Sequence, residues 1–213
     1  MKTSAVLPIA LYPWGGEYRP EAWAQASMDE ENLYFKLWCR EDNRDKPRSH
    51  HDNDPVCEDS CLEAFVLCYP DSPIYLNFEV NRAGAMMLQA GTERADRYCP
   101  SPDAMAGVPF PKARAFELDD GWGMEVKVPI AFIHAIYGTG APLDTAAMRG
   151  NFYKCGSVPD REHYACWAPV SAPAPDYHRP EAVSVFLRCW GRGRFSKRSA
   201  SPPDPLSRRV TGN

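Results

Sequence analysis

The sequence predicts an all-β protein, an antiparallel β-sandwich carrying one or two short helices. Three observations lead there. Short apolar runs of strand length recur along the chain, separated by Gly, Pro, Asn, Asp and Ser turn signals. The 213 residues include 21 prolines and are 12% aromatic, a combination suited to a fold of many short strands and many loops. At 44% hydrophobic, the chain can fill a core of substantial size.

The elements follow in order. AVLPIAL (5–11) is interrupted by Pro8, Pro13 comes soon after, and no small-x-small cleavage site follows, so the run reads as a first strand rather than a secretion signal. NLYFKLWCR (32–40), CLEAFVLCY (61–69), IYLNFEVN (74–81) and GAMMLQAG (84–91) come next, with NRAG (81–84) as a hairpin signal between the last two. ARAFEL (113–118) precedes GWGMEVKVP (121–129). There Trp122, Met124, Val126 and Val128 share one face and Glu125 and Lys127 the other, the pattern of a strand with a core side and a wet side. RGNFYKC (149–155), HYACWAP (163–169) and AVSVFLRCW (182–190) complete the strands. Two helices are expected, PEAWAQAS opening at Pro20 and PIAFIHAIYG between Pro129 and Gly138. There is no internal repeat. One domain is expected over 1–190, followed by a Ser- and Pro-containing tail, 191–213, that buries little and is expected to be disordered.

Charge is uneven. The tail holds six Lys/Arg against one acid, while the whole chain is at −4, so the body is distinctly acidic. An acidic body argues against nucleic acid as a partner. No stretch approaches the roughly 18 to 20 apolar residues of a membrane span. Eight cysteines lie largely inside apolar strand patterns, which fits buried free thiols and a cytoplasmic protein better than a disulfide framework. His50 and His51 stand near Cys57 and Cys61, but the paired C-x-x-C spacing of strong zinc motifs is missing, so no metal is expected there. A monomer is expected.

YLNFEVN departs from the plain strand pattern. Leu76, Phe78 and Val80 point one way, and Tyr75, Asn77, Glu79 and Asn81 the other. Amides and carboxylates are depleted in strands. A row of them, spaced about 7 Å apart along one face, offers donors and acceptors to a ligand bearing many hydroxyls. Glu63 sits in another apolar run, on the side of Phe65 and Leu67, where a carboxylate needs a partner. The stretch 149–181 is the richest, with Lys154, His163, Tyr164, Trp167, Tyr177, His178 and Arg179 set among loop residues. Rings beside polar groups suit a ligand with an apolar face and a hydroxylated edge. Trp167 is also a candidate core aromatic, whereas Tyr177, between Asp176 and His178, is expected to be hard to bury. No G-x-S-x-G, phosphate loop or H-E-x-x-H is present.

These motifs resemble a known family. VCEDSCLEAFV, YLNFEVNRAGAM, GWGMEVKVPIAF and RGNFYKCG…HYACWAPVSAPAPDYHRPE occur in the order of the family 9 carbohydrate-binding modules and their standalone DOMON-like relatives, and YPWGGEYRPEA resembles the start of the standalone members. The resemblance runs from about Leu11 to Arg188. It implies a jelly-roll type β-sandwich that binds a sugar without catalysis, clamping it between two aromatic rings. Carried over, the ligand-binding set is Glu63, Asn77, Glu79, Asn81, Lys154, Trp167, Tyr177, His178 and Arg179. Tyr177 stands at the second clamp position. At the first, Val56 or Cys57 replaces the family's tryptophan, and Trp14 or Trp167 is left to supply a ring. Glu79 replaces a family arginine. Members also hold structural Ca²⁺, for which the acidic loop 40–55 is the candidate. The implied ligand is a plant-type glucan or xylan. Two alternatives remain open: a glycoside-acting enzyme using Glu63 and Glu79 as its carboxylate pair, and a haem-binding module with Met86 or Met87 and His163 as axial ligands.

Overall fold

The computed structural model describes residues 1–42 and 46–179, together with the backbone of 184–185. Two antiparallel six-stranded sheets pack face to face, which is the β-sandwich the sequence predicts. The first sheet contains β1 (Lys2–Thr3), β2 (Leu7–Ile9), β3 (Ala22–Met28), β4 (Asn32–Arg40), β8 (Lys112–Leu118) and β9 (Gly121–Pro129). Its order is β1-β3-β4-β9-β8, with β2 also paired to β3. The second contains β5 (Cys61–Leu67), β6 (Tyr75–Asn81), β7 (Met86–Gly91), β10 (Arg149–Gly156), β11 (His163–Cys166) and β12 (Ser184–Val185). Its order is β11-β10-β5-β6-β7, with β12 paired to β10. The tail 191–213 and most of the expected last strand lie outside the described residues.

Alternation explains the main core. Leu33, Phe35, Leu37 and Cys39 of β4 and Trp122, Met124, Val126 and Val128 of β9 point inward from the first sheet, all essentially inaccessible. Leu62, Ala64 and Val66 of β5, Leu76, Phe78 and Val80 of β6 and Phe152 of β10 meet them from the second. Phe35 packs at 5.8 Å from Phe78 and 6.0 Å from Phe152, joining the layers at their centre.

The expected helix PIAFIHAIYG forms as α1 (Ile130–Tyr137), between Pro129 and a left-handed Gly138 at φ 63°. The other expected helix does not form. PEAWAQAS contributes β3, because its three alanines alternate: Ala22, Ala24 and Ala26 are buried and face Cys39, Leu37 and Phe35 of β4. Tertiary packing on a two-residue period overrides the helix propensity of alanine.

The two sheets differ on their outer faces. On the first, Lys36, Lys127, Arg114 and Glu125 remain in contact with water, as expected of a one-sided antiparallel sheet. On the second, every residue of β5 and β6 is buried on both sides. The alternation of YLNFEVN reads as a strand with one buried face and one open face, and the structure corrects this: both faces of β6 are covered. Its outer face is roofed by the segment 46–60 and by the segment 167–179, which build a second apolar cluster from Val56, Phe65, Tyr75, Tyr153, Val170 and Tyr177. The first of these segments also runs along the edge strand β7. Asn53 donates its N–H to the Met86 carbonyl, and the Asp52 and Asn53 side chains accept from the N–H groups of Met86 and Leu88. An otherwise open edge is closed in this way.

Candidate functional site

The outer face of the second sheet gathers most of the unusual residues. Glu63 of β5 and Glu79 of β6 are directly opposite each other in register, and each is at most 3% exposed. Residues opposite in an antiparallel pair lie about 5 Å apart at Cβ, so two carboxyls share one buried patch. Burial raises the Glu79 carboxyl to about 7. Burial raises Glu63 as well, reinforced by Cys155 and by the Glu79 charge. Asn77, the next residue along the same row, donates its side-chain N–H to Glu79 Oε1 at 2.9 Å. Its own amide oxygen is buried and has no hydrogen-bond partner among the described residues, a costly arrangement unless something else comes to it.

Toward β7 the face continues through Gln89, opposite Asn77, and on to the following loop. Arg97 donates to Gln89 Oε1 at 2.5 Å and to His178 Nε2 at 3.0 Å. Because arginine has no acceptor, His178 carries its proton on Nδ1 and gives it to the Tyr75 hydroxyl, 3.0 Å away. Burial, with Arg97 beside it, lowers His178 to about 3, so the ring is neutral. Arg94 ties the roof down through Asp176 at 2.7 Å, and Arg179 holds the same carboxylate at 3.0 Å.

The aromatic residues lie on the opposite flank. Tyr177, expected to be exposed, is only 7% accessible. It stacks on Tyr153 at 3.9 Å and gives its hydroxyl proton to the Ala165 carbonyl. Trp14 leans on it at 5.5 Å and meets Tyr164 edge-on at 6.2 Å. The Trp14 indole N–H is held by the Ala172 carbonyl at 2.8 Å. Beside these rings opens a cleft of about 570 Å³ lined by Trp14, Tyr164, Glu162 and the run Ala172, Pro173, Ala174 and Pro175. Val56, at the first clamp position, is fully buried in a single 3₁₀ turn (Val56–Glu58), while Cys57 is exposed.

The remaining candidates are engaged within the scaffold, Asn81 at the end of the same row and Trp167 and Lys154 on the core side. Asn81 is a structural bracket: its amide N–H₂ serves the Ser49 carbonyl and Asp59, and its oxygen accepts from the Ala85 N–H. Trp167 packs on Phe152 at 6.0 Å, against the main core. Lys154 points through the other side of β10, with Leu62 and Ala165 as its neighbours in register. There it is completely buried, 3.4 Å from Glu41, and donates to Ser60 Oγ at 2.8 Å and His163 Nε2 at 2.7 Å. His163 in turn gives its Nδ1 proton to the Arg161 carbonyl, and Trp122 donates to Glu41 at 3.0 Å. Burial and the Lys154 charge lower His163 to about 3. Burial alone would raise Glu41, but Lys154, Ser60 and Trp122 outweigh it and bring the carboxyl down to about 2.

The haem alternative fails on placement. Met86 faces the main core, Met87 the other side of the same strand, and His163 is committed to Lys154. The expected Ca²⁺ loop is similarly committed where it is described. Asp54 accepts from the N–H groups of His50 and His51, Asp52 from that of Met86, and Asp42 pairs with Arg161 at 2.8 Å. Two residues escaped the sequence reading, Gln89 and Arg97. Gln89 carries the only available signal, a polar residue in an apolar run, whereas Arg97 reaches the face from a loop.

The sequence profile of carbohydrate-binding family 9 matches residues 6–187. The chain belongs to that family. Its members are non-catalytic binding modules, and this chain is accordingly not an enzyme. The glycosidase alternative falls with that assignment. The fold resembles a candidate carbohydrate-binding protein of Bacteroides uniformis, at TM-score 0.71 and 23% identity over 85% of this chain and 84% of the other. It also resembles a family 9 module of Caldicellulosiruptor kristjanssonii solved with cellotriose, at TM-score 0.52 and 13% identity over 95% and 89%. No curated protein matches the chain. Among the described residues no helix is long and apolar enough to cross a membrane.

Proposed function

We propose that this family 9 chain binds a plant-type glucan or xylan on the outer face of its second sheet. Asn77 and Glu79, at most 3% exposed beneath the roof, are reached by the hydroxyls as the roof yields to the ligand, and the half-buried Gln89, Arg97 and His178 extend the row. Trp14 and Tyr164 offer ring surface in the adjoining cleft, in place of the missing first clamp residue. The observation that carries this reading is the Asn77 amide oxygen, buried beside two carboxyls and left without a partner among the described residues. A sugar hydroxyl is the kind of donor it lacks. Support also comes from the mixture of flat rings and polar groups on one face, which matches the apolar faces and hydroxylated edges of a pyranose. Lys154, Asn81 and Trp167 hold the sandwich and the roof together rather than touching the ligand, and Arg179 acts through Asp176.

Calorimetric titration with cello- and xylo-oligosaccharides tests this. Saturable binding by the folded chain, lost in Asn77→Leu with the melting temperature held, is expected. A chain that binds neither series, or an Asn77→Leu variant that binds as well as wild type, would overturn it.

A further inference from the structure

Three potential metal ligands converge beneath the roof, and carbohydrate binding does not account for them. Cys61 of β5 and Cys155 of β10 are directly opposite in register. Glu63, two residues along from Cys61, lies on the same face. The two Sγ atoms and a Glu63 carboxylate oxygen all lie within 4.8 Å of one another, and all three residues are buried. Cys155 Sγ sits only 2.7 Å from Glu63 Oε1. We propose that Cys61, Cys155 and Glu63 form a binding site for one thiophilic divalent cation of the zinc type.

The geometry fits with small side-chain adjustments. Tetrahedral zinc with bonds of about 2.3 Å to sulfur and about 2.0 Å to oxygen places its ligand atoms roughly 3.5 to 3.8 Å apart. The three donors lie within 4.8 Å of one another, about 1 Å beyond that scale at most, and the Cys155–Glu63 contact opens by under about 1 Å to reach it. Two thiolates and a carboxylate are a donor set that favours zinc over calcium or magnesium. Two thiolates and one carboxylate overbalance the charge of a divalent ion by one, and the Lys154 ammonium acts on both Glu63 and Cys155 to offset it. The fourth position is left for water or for Cys57. That cysteine lies in the 3₁₀ turn of the roof, within electrostatic range of Glu63, Glu79 and Cys61. Zinc takes cysteine as thiolate and glutamate as carboxylate, so loading releases the thiol protons to solvent.

The sequence could not display this site. Its ligands come from strands about ninety residues apart, and the C-x-x-C spacing that marks a local zinc motif is not used. His50 and His51, near Cys57 in sequence, are exposed and take no part.

Cobalt is the direct probe. The full-length chain, reduced and stripped with a chelator, is titrated with Co²⁺ and followed by absorption. The expected result is one Co²⁺ per chain, with a thiolate-to-cobalt charge-transfer band, the visible bands of tetrahedral cobalt, and displacement by Zn²⁺. Cys155→Ser and Cys61→Ser should remove the charge-transfer band or weaken binding by more than the roughly 10- to 100-fold that loss of an outer partner costs. Glu63→Gln should weaken binding while keeping the sulfur band. Cys99→Ser, at an exposed position elsewhere, should change nothing. Wild-type protein that is folded by circular dichroism and binds no stoichiometric Co²⁺ overturns the proposal without reference to any variant. A cobalt spectrum without sulfur charge transfer, or an unchanged one in Cys99→Ser and Cys155→Ser alike, does so too. Oligosaccharide titration of the metal-free protein is a separate readout, so failure of this site and failure of sugar binding are told apart.

Discussion

Replacing Lys154 by methionine tests the division drawn between scaffold and site. Lys154 is completely buried, and the Glu41 side chain beside it is 5% exposed, with 3.4 Å between the charges. The Glu41 carboxyl is held at about 2, against an ordinary 4.5. That difference corresponds to about 3 kcal/mol of stability. The carboxyl is depressed in the folded protein, so this contribution is complete above pH 4.5 and is lost as pH falls through 2. Lys154→Met leaves Glu41 as a buried charge whose nearest remaining cation, Arg161, is 4.0 Å away, a change that costs up to about 3 to 5 kcal/mol. Urea unfolding at pH 7, with the denaturant slope unchanged, should show a loss in that range. The deficit should shrink on acidification, because an unpaired buried Glu41 takes up a proton readily. The double variant Lys154→Met/Glu41→Gln should recover much of the loss. Oligosaccharide affinity should stay at the wild-type value throughout. A loss under about 1 kcal/mol at pH 7 would show that the pair does not compensate itself as argued, and a large fall in sugar affinity with stability intact would return Lys154 to the binding face.

Glu79 gives the opposite pH signature: its carboxyl is raised to about 7, so its contribution is complete below pH 4.5 and is lost as pH rises through 7. Glu79→Gln should therefore flatten the stability profile between pH 5 and pH 8.5 by about 3 kcal/mol, measured by thermal melts. Asn81→Ala should cost about 2 to 4 kcal/mol in chemical denaturation, since three hydrogen bonds of a buried amide are lost together. Gly121→Ala should fail to fold or lose most of its stability, because the added Cβ would lie 1.9 Å from the Cys39 carbonyl oxygen across the β4–β9 pair. A soluble Gly121→Ala chain with a wild-type melt would contradict that register.

The fold was largely legible because its signals are local. Alternation in NLYFKLWCR and GWGMEVKVP places every second residue in the core, and the Pro129 and Gly138 brackets set the limits of α1. The segment 20–27 misled because alanine carries helix propensity, and only its pairing with the large side chains of β4 shows why small residues alternate there. The site was legible as a list and not as a place. The alternation in YLNFEVN assigned Asn77 and Glu79 to one face correctly, but whether that face meets water depends on the segments 46–60 and 167–179 folding back over it. Tyr177 illustrates the consequence: a tyrosine between Asp176 and His178 looks exposed in one dimension, yet it stacks on Tyr153 and meets Trp14 at a tilt. Lys154 and Cys155 are adjacent in sequence and serve opposite faces of their strand.

The central claim is that a carbohydrate binds the outer face of the second sheet, between the carboxyl–amide row and the Trp14 cleft. Calorimetric titration of cello- and xylo-oligosaccharides into wild type, Glu79→Ala and Trp14→Ala tests it most directly. The account predicts saturable wild-type binding. A lost charge-assisted hydrogen bond, about 1.5 to 3 kcal/mol, makes Glu79→Ala roughly ten- to hundredfold weaker. Trp14→Ala should lose affinity by at least about fivefold with the removal of its ring. Wild-type affinity in both variants, in a protein that still binds the sugar, would place the ligand elsewhere on the molecule and contradict the account.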